Sequence, residues 1–157
     1  MKTIYIMRHP QKDLSSKEDD FFIKLTPKGI EDAHTIAQKL KSKGIKPDLI
    51  VSSPSLRTET TSMILAEELG IEKSVLYNEV LYQGFLDELI EAIYFTFHTV
   101  NTLIIVGHNP LLANLAAHFT GYKDKLDMGV VFKVDFDTTS WVEVDPSNAM
   151  NVEVIRP

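Results

Sequence analysis

Four residues of this chain could act together on a phosphate: Arg8 and His9 in Met7-Arg8-His9-Pro10, Arg57 in Ser53-Pro54-Ser55-Leu56-Arg57, and His108 in Val106-Gly107-His108-Asn109-Pro110. A neutral imidazole nitrogen is a competent nucleophile toward phosphorus, and a covalent intermediate on His9 would divide one hard displacement into two easier ones. Arginine cannot lose its proton at ordinary pH, and its planar fork matches a pair of phosphate oxygens. Phosphoryl transfer needs charge stabilisation on the equatorial oxygens above all, and His108 could donate there. Taken singly, each residue has a bland reading: a hydrogen-bonding histidine at a strand end, or an arginine on an exposed helical turn. The three motifs together carry the chemical reading.

What must position these residues is legible in the runs that precede them. Thr3-Ile4-Tyr5-Ile6-Met7, Leu49-Ile50-Val51 and Leu103-Ile104-Ile105-Val106 are β-forming, and each leads directly into one motif. If the three strands are parallel neighbours, Arg8, His9, Arg57 and His108 meet at their carboxyl ends, where open α/β sheets bind ligands. Between them lie helical patterns. Thr26 with Pro27 reads as an N-cap and first turn; Ile30, Ala33, Ile36, Ala37 and Leu40 follow at helical spacing up to Gly44. A second helix is predicted with Ser53 as cap, Pro54 at its first position, Met63, Ile64, Ala66 and Leu69 inward, and Gly70 as stop. This places Arg57 near a helix N-terminus, where a cation is disfavoured by a few tenths of a kcal/mol to about 1; a bound dianion reverses that sign. Further predicted elements are a strand at Ser74–Tyr77, a helix at Phe85–His98 with Phe97 inward, a strand at Asn101–Val106 and a helix capped by Asn109 with Pro110 at its start. Short strands at Val130–Phe136, Ser140–Asp145 and Asn151–Arg156 complete the chain. The order predicts one domain over residues 1–157, a three-layer α/β/α sandwich whose sheet is mostly parallel with antiparallel strands at the C-terminal end.

The net charge of −6 argues against nucleic acid as a partner, and it sets the clustered cations apart from general basicity. The absence of cysteine excludes thiolate catalysis and disulfides. No apolar run approaches the roughly 18 residues of a membrane span, and Met1-Lys2-Thr3 lacks the form of a signal peptide, so the expectation is a cytoplasmic protein without a membrane partner. The polar stretch Gln11–Leu25 is long for a strand-to-helix connection, where about 2–6 residues is usual. Its Glu18-Asp19-Asp20 run lacks the spacing and glycine of a calcium loop and reads as solvated. His34, His98 and His118 have no mutual spacing that suggests ligands. No metal and no other cofactor is expected.

The motifs Arg8-His9-Pro10, Ser53-Pro54-Ser55-Leu56-Arg57 and Gly107-His108-Asn109-Pro110, with Leu25-Thr26-Pro27-Lys28-Gly29, resemble the histidine phosphatase superfamily. The length, the Leu81-Tyr82 element and Val106–Gly121 look most like its SixA-type phosphohistidine phosphatase branch. The resemblance implies that His9 is the phosphorylated nucleophile, that Arg8, Arg57 and His108 hold the phosphate, and that catalysis needs no metal. Pro10 stands where glycine is usual and cannot donate a backbone N–H. The family's general acid is a carboxylate after the third strand; Glu79 is the candidate here, with Asp87 and Glu88 nearby. The implied activity is a phosphatase acting on phosphohistidine-bearing protein. Alternatives are a small-molecule phosphomonoesterase and a non-catalytic phospho-ligand module, against which the pairing of His9 with His108 speaks. With only Asn78 to Gly84 joining the third strand to the next helix, an open, shallow site is expected.

Overall fold

Strand β1 (Lys2–Arg8) is apolar on both faces, as β-branched and aromatic residues in a central parallel strand must be. A computed structural model describes all 157 residues. A 3₁₀ turn at Asp20–Phe22 and helix α1 (Pro27–Ser42) come next, then β2 (Leu49–Ser52), α2 (Leu56–Leu69), β3 (Val75–Tyr77), the short α3 (Val80–Gln83), α4 (Leu86–Tyr94), β4 (Thr102–Gly107), α5 (Leu111–Thr120) and β5 (Val131–Phe136). Two further 3₁₀ turns precede β6 (Ala149–Ile155). The six strands form one sheet in the order β3-β2-β4-β1-β5-β6. The first four run parallel; β5 is antiparallel to β1, and β6 to β5.

Alternation of side chains along β1 divides the core. Ile4 and Ile6 pack with Leu89 and Ile93 of α4 and Leu112 and Leu115 of α5, whereas Tyr5 and Met7 pack with Ile36 and Leu40 of α1 and Leu65 of α2. The result is the three-layer α/β/α arrangement. Register then sets the site. Arg8 lies opposite Gly107, and Ser52 opposite Val106. The ladder runs one residue further, with His9 N–H bonding the Gly107 carbonyl at 3.1 Å and Ser53 N–H the Val106 carbonyl at 2.9 Å. At the opposite end of the strands, Lys2 is buried. Its Nζ donates to the His98 and Val100 carbonyls at 2.8 Å each and to Asn101 Oδ1 at 2.9 Å, beside the Trp141 ring.

Several elements differ from expectation, each for a local reason. Helix α2 begins two residues late, with Ser55 at the cap position, because the Ser53 hydroxyl is turned to His108. Its inward face is Thr58, Thr61, Ser62, Leu65 and, as expected, Ala66, while Met63 is exposed. The threonine hydroxyls bond their own helix backbone or the cap segment, which lets polar side chains lie where only apolar ones were expected. Helix α4 stops at Tyr94, and Phe97 is exposed; the aromatic and β-branched run Tyr94-Phe95-Thr96-Phe97 has weak helix propensity. Ser140–Asp145 is not a strand. Trp141 and Val144 are buried three residues apart, the spacing of a 3₁₀ turn, which forms at Trp141–Glu143, with a second at Pro146–Asn148. Helix α5 begins at Leu111 after a cis Asn109–Pro110 peptide; Asn109 Oδ1 still accepts from Ala113 N–H at 3.2 Å. Ile30 of α1 is exposed.

Candidate active site

His9 leaves β1 as a buried residue at the floor of a cleft. Its Nδ1–H donates to the Pro10 carbonyl at 2.6 Å, because a carbonyl can only accept, so in the neutral ring Nε2 carries the lone pair. Proline thus serves this site through its acceptor rather than the donor it lacks. Burial, and then the charges of Arg57, Arg8 and Lys12, push the His9 imidazole down to about 4, against an opposing effect of the Pro10 bond. Two glycines shape the surrounding backbone. Gly129, at φ +81°, brings its N–H to the Arg8 and His9 carbonyls at 3.1 Å each. A Cβ on Gly29 of α1 would overlap the Gln11 carbonyl oxygen, so glycine is needed for that close approach.

Arg57 is 3% exposed, although it sits in the first turn of α2. Its Nη1 donates to the Asp20 carbonyl at 2.6 Å and its Nη2 to both Asp20 carboxylate oxygens at 3.0 and 3.2 Å, with His108 Nδ1 at 3.3 Å. His108 follows β4, its ring centroid 5.2 Å from that of His9. With Nδ1 accepting from Arg57, Nε2–H donates to Ser53 Oγ at 2.9 Å. Burial, then Arg57 and His9, push His108 down to about 3, with Asp20 opposing. Arg8 Nη1 donates to the Leu126 carbonyl at 3.2 Å. The Nε atoms of Arg8 and Arg57 are buried and have no hydrogen-bond partner in the protein. Buried donors without a partner are rare in folded proteins.

The structure therefore brings Arg8, His9, Arg57 and His108 into one cleft, with Lys12, Asp20, Tyr82, Gln83 and Asn109. It does not bring Glu79 there. Glu79 is exposed at the start of α3; Asp87 and Glu88 are exposed at the start of α4, where Glu88 accepts from Phe85 N–H at 2.9 Å. The carboxylate in the cleft is Asp20, from the run read as solvated. Besides Arg57 it accepts from Tyr82 Oη at 2.9 Å and has Lys12 Nζ at 3.9 Å. Burial would raise Asp20, but hydrogen bonds from Arg57 and Tyr82 outweigh this and hold it below the usual carboxylate range. Tyr82 also meets Phe21 edge-on at 5.2 Å, so the Gln11–Leu25 segment is packed onto α3. Nothing in the sequence distinguishes Asp20 from Glu18 and Asp19; only the buried Arg57 singles it out. His34, His98 and His118 lie outside the cleft, and no three metal-ligating side chains converge.

Residues 4–80 match the model of the histidine phosphatase superfamily, branch 1. Among solved structures, the protein histidine phosphatase SixA complexed with tungstate superposes with a TM-score of 0.83 at 21% identity, over 98% of this chain and 96% of that one. A mycobacterial glucosyl-3-phosphoglycerate phosphatase superposes with a TM-score of 0.65 at 16% identity, over 99% and 98%. An uncharacterized protein of Mycobacterium leprae is 27% identical over 116 residues, 74% of this chain and 70% of its own. No helix is long and apolar enough to cross a membrane. With the motif-bearing strand ends adjacent and the family match spanning two of the three motifs, the chain belongs to the histidine phosphatase superfamily of phosphohydrolases.

Proposed function

We propose that this phosphatase works through a phosphohistidine at His9 and that its substrate is a phosphohistidine-bearing protein. The observation that carries the reading is the His9 Nδ1–H bond to Pro10, which leaves a neutral Nε2 facing a cleft of two arginines and a second histidine. Arg8 and Arg57 line the cleft, and their guanidinium groups are the donors for the phosphoryl oxygens. His108 is kept neutral by burial and by Arg57. An arriving dianion offsets that cation, so His108 can take a proton on Nδ1 and donate it to an equatorial oxygen. Attack by Nε2 expels the substrate's leaving group; water then attacks phosphorus and His9 departs as neutral imidazole, its Nδ1–H still on Pro10. Residues 1–157 act as one unit in this scheme.

The protein substrate is supported by the cleft's lining. Of its nine residues only Tyr82 offers an extended apolar face, whereas small-metabolite sites are mostly apolar and enclosing. A phosphorylated side chain presented on a protein surface needs no grip beyond the phosphoryl group. The test is rapid mixing with a protein carrying radiolabelled phosphohistidine. Label should appear transiently on His9 in an alkali-stable, acid-labile form. Turnover of sugar phosphates or nucleotides, with none on the phosphoprotein, would transfer the reading to a small phosphomonoester.

A further inference from the structure

We propose that Asp20, held by Tyr82, is the residue that recognises the leaving group, and that it selects a protonated imidazole over an alcohol. This rests on the phosphohistidine reading and adds the element that would sense the substrate's ring. Asp20 is the sole acidic side chain lining the cleft. Its backbone carbonyl accepts from Arg57 Nη1 while its carboxylate accepts from Nη2 and from Tyr82. The two attachments are separable. A phosphoryl oxygen can take over Nη2 while the carbonyl keeps the loop pinned and the Tyr82 hydroxyl keeps the carboxylate at the mouth.

In-line attack by His9 Nε2, from the floor, sends the leaving group toward that mouth. A carboxylate that stays ionised cannot protonate a departing alkoxide, but it attracts a cation. A phosphohistidine ring protonated on its second nitrogen is such a cation, and the Tyr82 ring adds a π face to receive it. The step balances without an external acid. The P–N bond breaks as the bond to His9 Nε2 forms. The leaving group departs as neutral imidazole on the proton it brought, and His9 becomes the phosphorylated imidazolium with Nδ1–H on Pro10. Lys12, the other charge near Asp20 at 3.9 Å, sits on a long flexible stem that lets its ammonium follow the phosphoryl oxygens.

The experiment compares Asp20→Asn with the native enzyme on a phosphohistidine peptide and on p-nitrophenyl phosphate, whose leaving group needs no proton. The expected result is a fall of about tenfold or more in the ratio of the two kcat/KM values, peptide over ester, read as differential transition-state stabilisation. Vanadate inhibition should hold or tighten in the variant, because a neutral amide competes for Arg57 Nη2 less than the carboxylate does. Equal losses on both substrates would overturn the proposal and leave Asp20 as a residue that merely positions Arg57. An unchanged ratio with full activity would overturn it outright. A native enzyme inactive on phosphohistidine but active on the ester would instead remove the substrate reading on which the proposal stands.

Discussion

At the scale of single residues, the chemistry depends on proton placement. His9→Ala should abolish turnover while leaving the circular dichroism and thermal transition near native, since the ring contributes one local hydrogen bond to the fold; a folded variant with near-native turnover would remove the nucleophile assignment. Arg57→Lys should cost at least tenfold in kcat/KM although charge is kept, because a lysine cannot satisfy two partners in one plane; a change under about threefold would mean that charge alone matters. Both imidazoles should be neutral well below the ordinary histidine range. Nitrogen-15 NMR should show His9 titrating near 4 and His108 near 3 in the unliganded enzyme. The linkage sign follows: the folded values lie below the unfolded one, so between about pH 4 and 6.5 the unfolded chain binds more protons. The stability contributed by these neutral rings is complete above pH 6.5 and is lost as pH falls toward 4. The midpoint of urea unfolding should therefore drop between pH 7 and pH 5, and less so in His9→Ala.

At the scale of elements, the strand ends were legible because apolar runs and the motifs that follow them are contiguous in sequence, and parallel pairing does the rest. Thr26, Pro27 and Gly70 delivered the helix boundaries that capping chemistry assigns to them. What stayed hidden involves partners distant in sequence. Asp20 gains its place through Arg57 and Tyr82, 37 and 62 residues away, and Ser53 gives up its cap role to a histidine 55 residues away. The inward threonines of α2 defeat a purely apolar pattern for the same reason: their hydroxyls are satisfied locally. Gly29 offers an element-level test. Alanine is the better helix former by about 0.8–1 kcal/mol, yet here its Cβ meets the backbone that carries Pro10 and Gln11. We expect Gly29→Ala to lower Tm by about 2–10 °C, an overpacking cost of about 1–3 kcal/mol in a domain of this size. kcat/KM should fall with it, because the displaced carbonyl segment fixes His9. A raised Tm with unchanged kinetics would show that the loop yields freely.

At the scale of the whole molecule, the cations of the cleft and the absence of any ligand-like cluster predict turnover that survives a chelator; full loss restored by magnesium would contradict this. The sheet also has two chemically distinct ends. The carboxyl end carries the cleft, and the amino end is locked by Lys2, whose ammonium burial pushes below its usual range. Lys2→Met should destabilise by about 1–3 kcal/mol in urea titrations, since the His98 carbonyl and Asn101 Oδ1 lose their donor and the Val100 carbonyl keeps only the Trp141 indole N–H. The chain's single tryptophan belongs to this locked end. Trp141 is 2% exposed, with its indole N–H on the Val100 carbonyl at 2.7 Å. Seven residues of β1 separate that end from His9, which is about 20 Å. The fluorescence of this protein is accordingly a report on the sheet and not on the chemistry. Excited at the red edge of the indole band, the emission should begin blue-shifted, stay flat through a vanadate titration that fills the cleft, and move to the red only when the strands part.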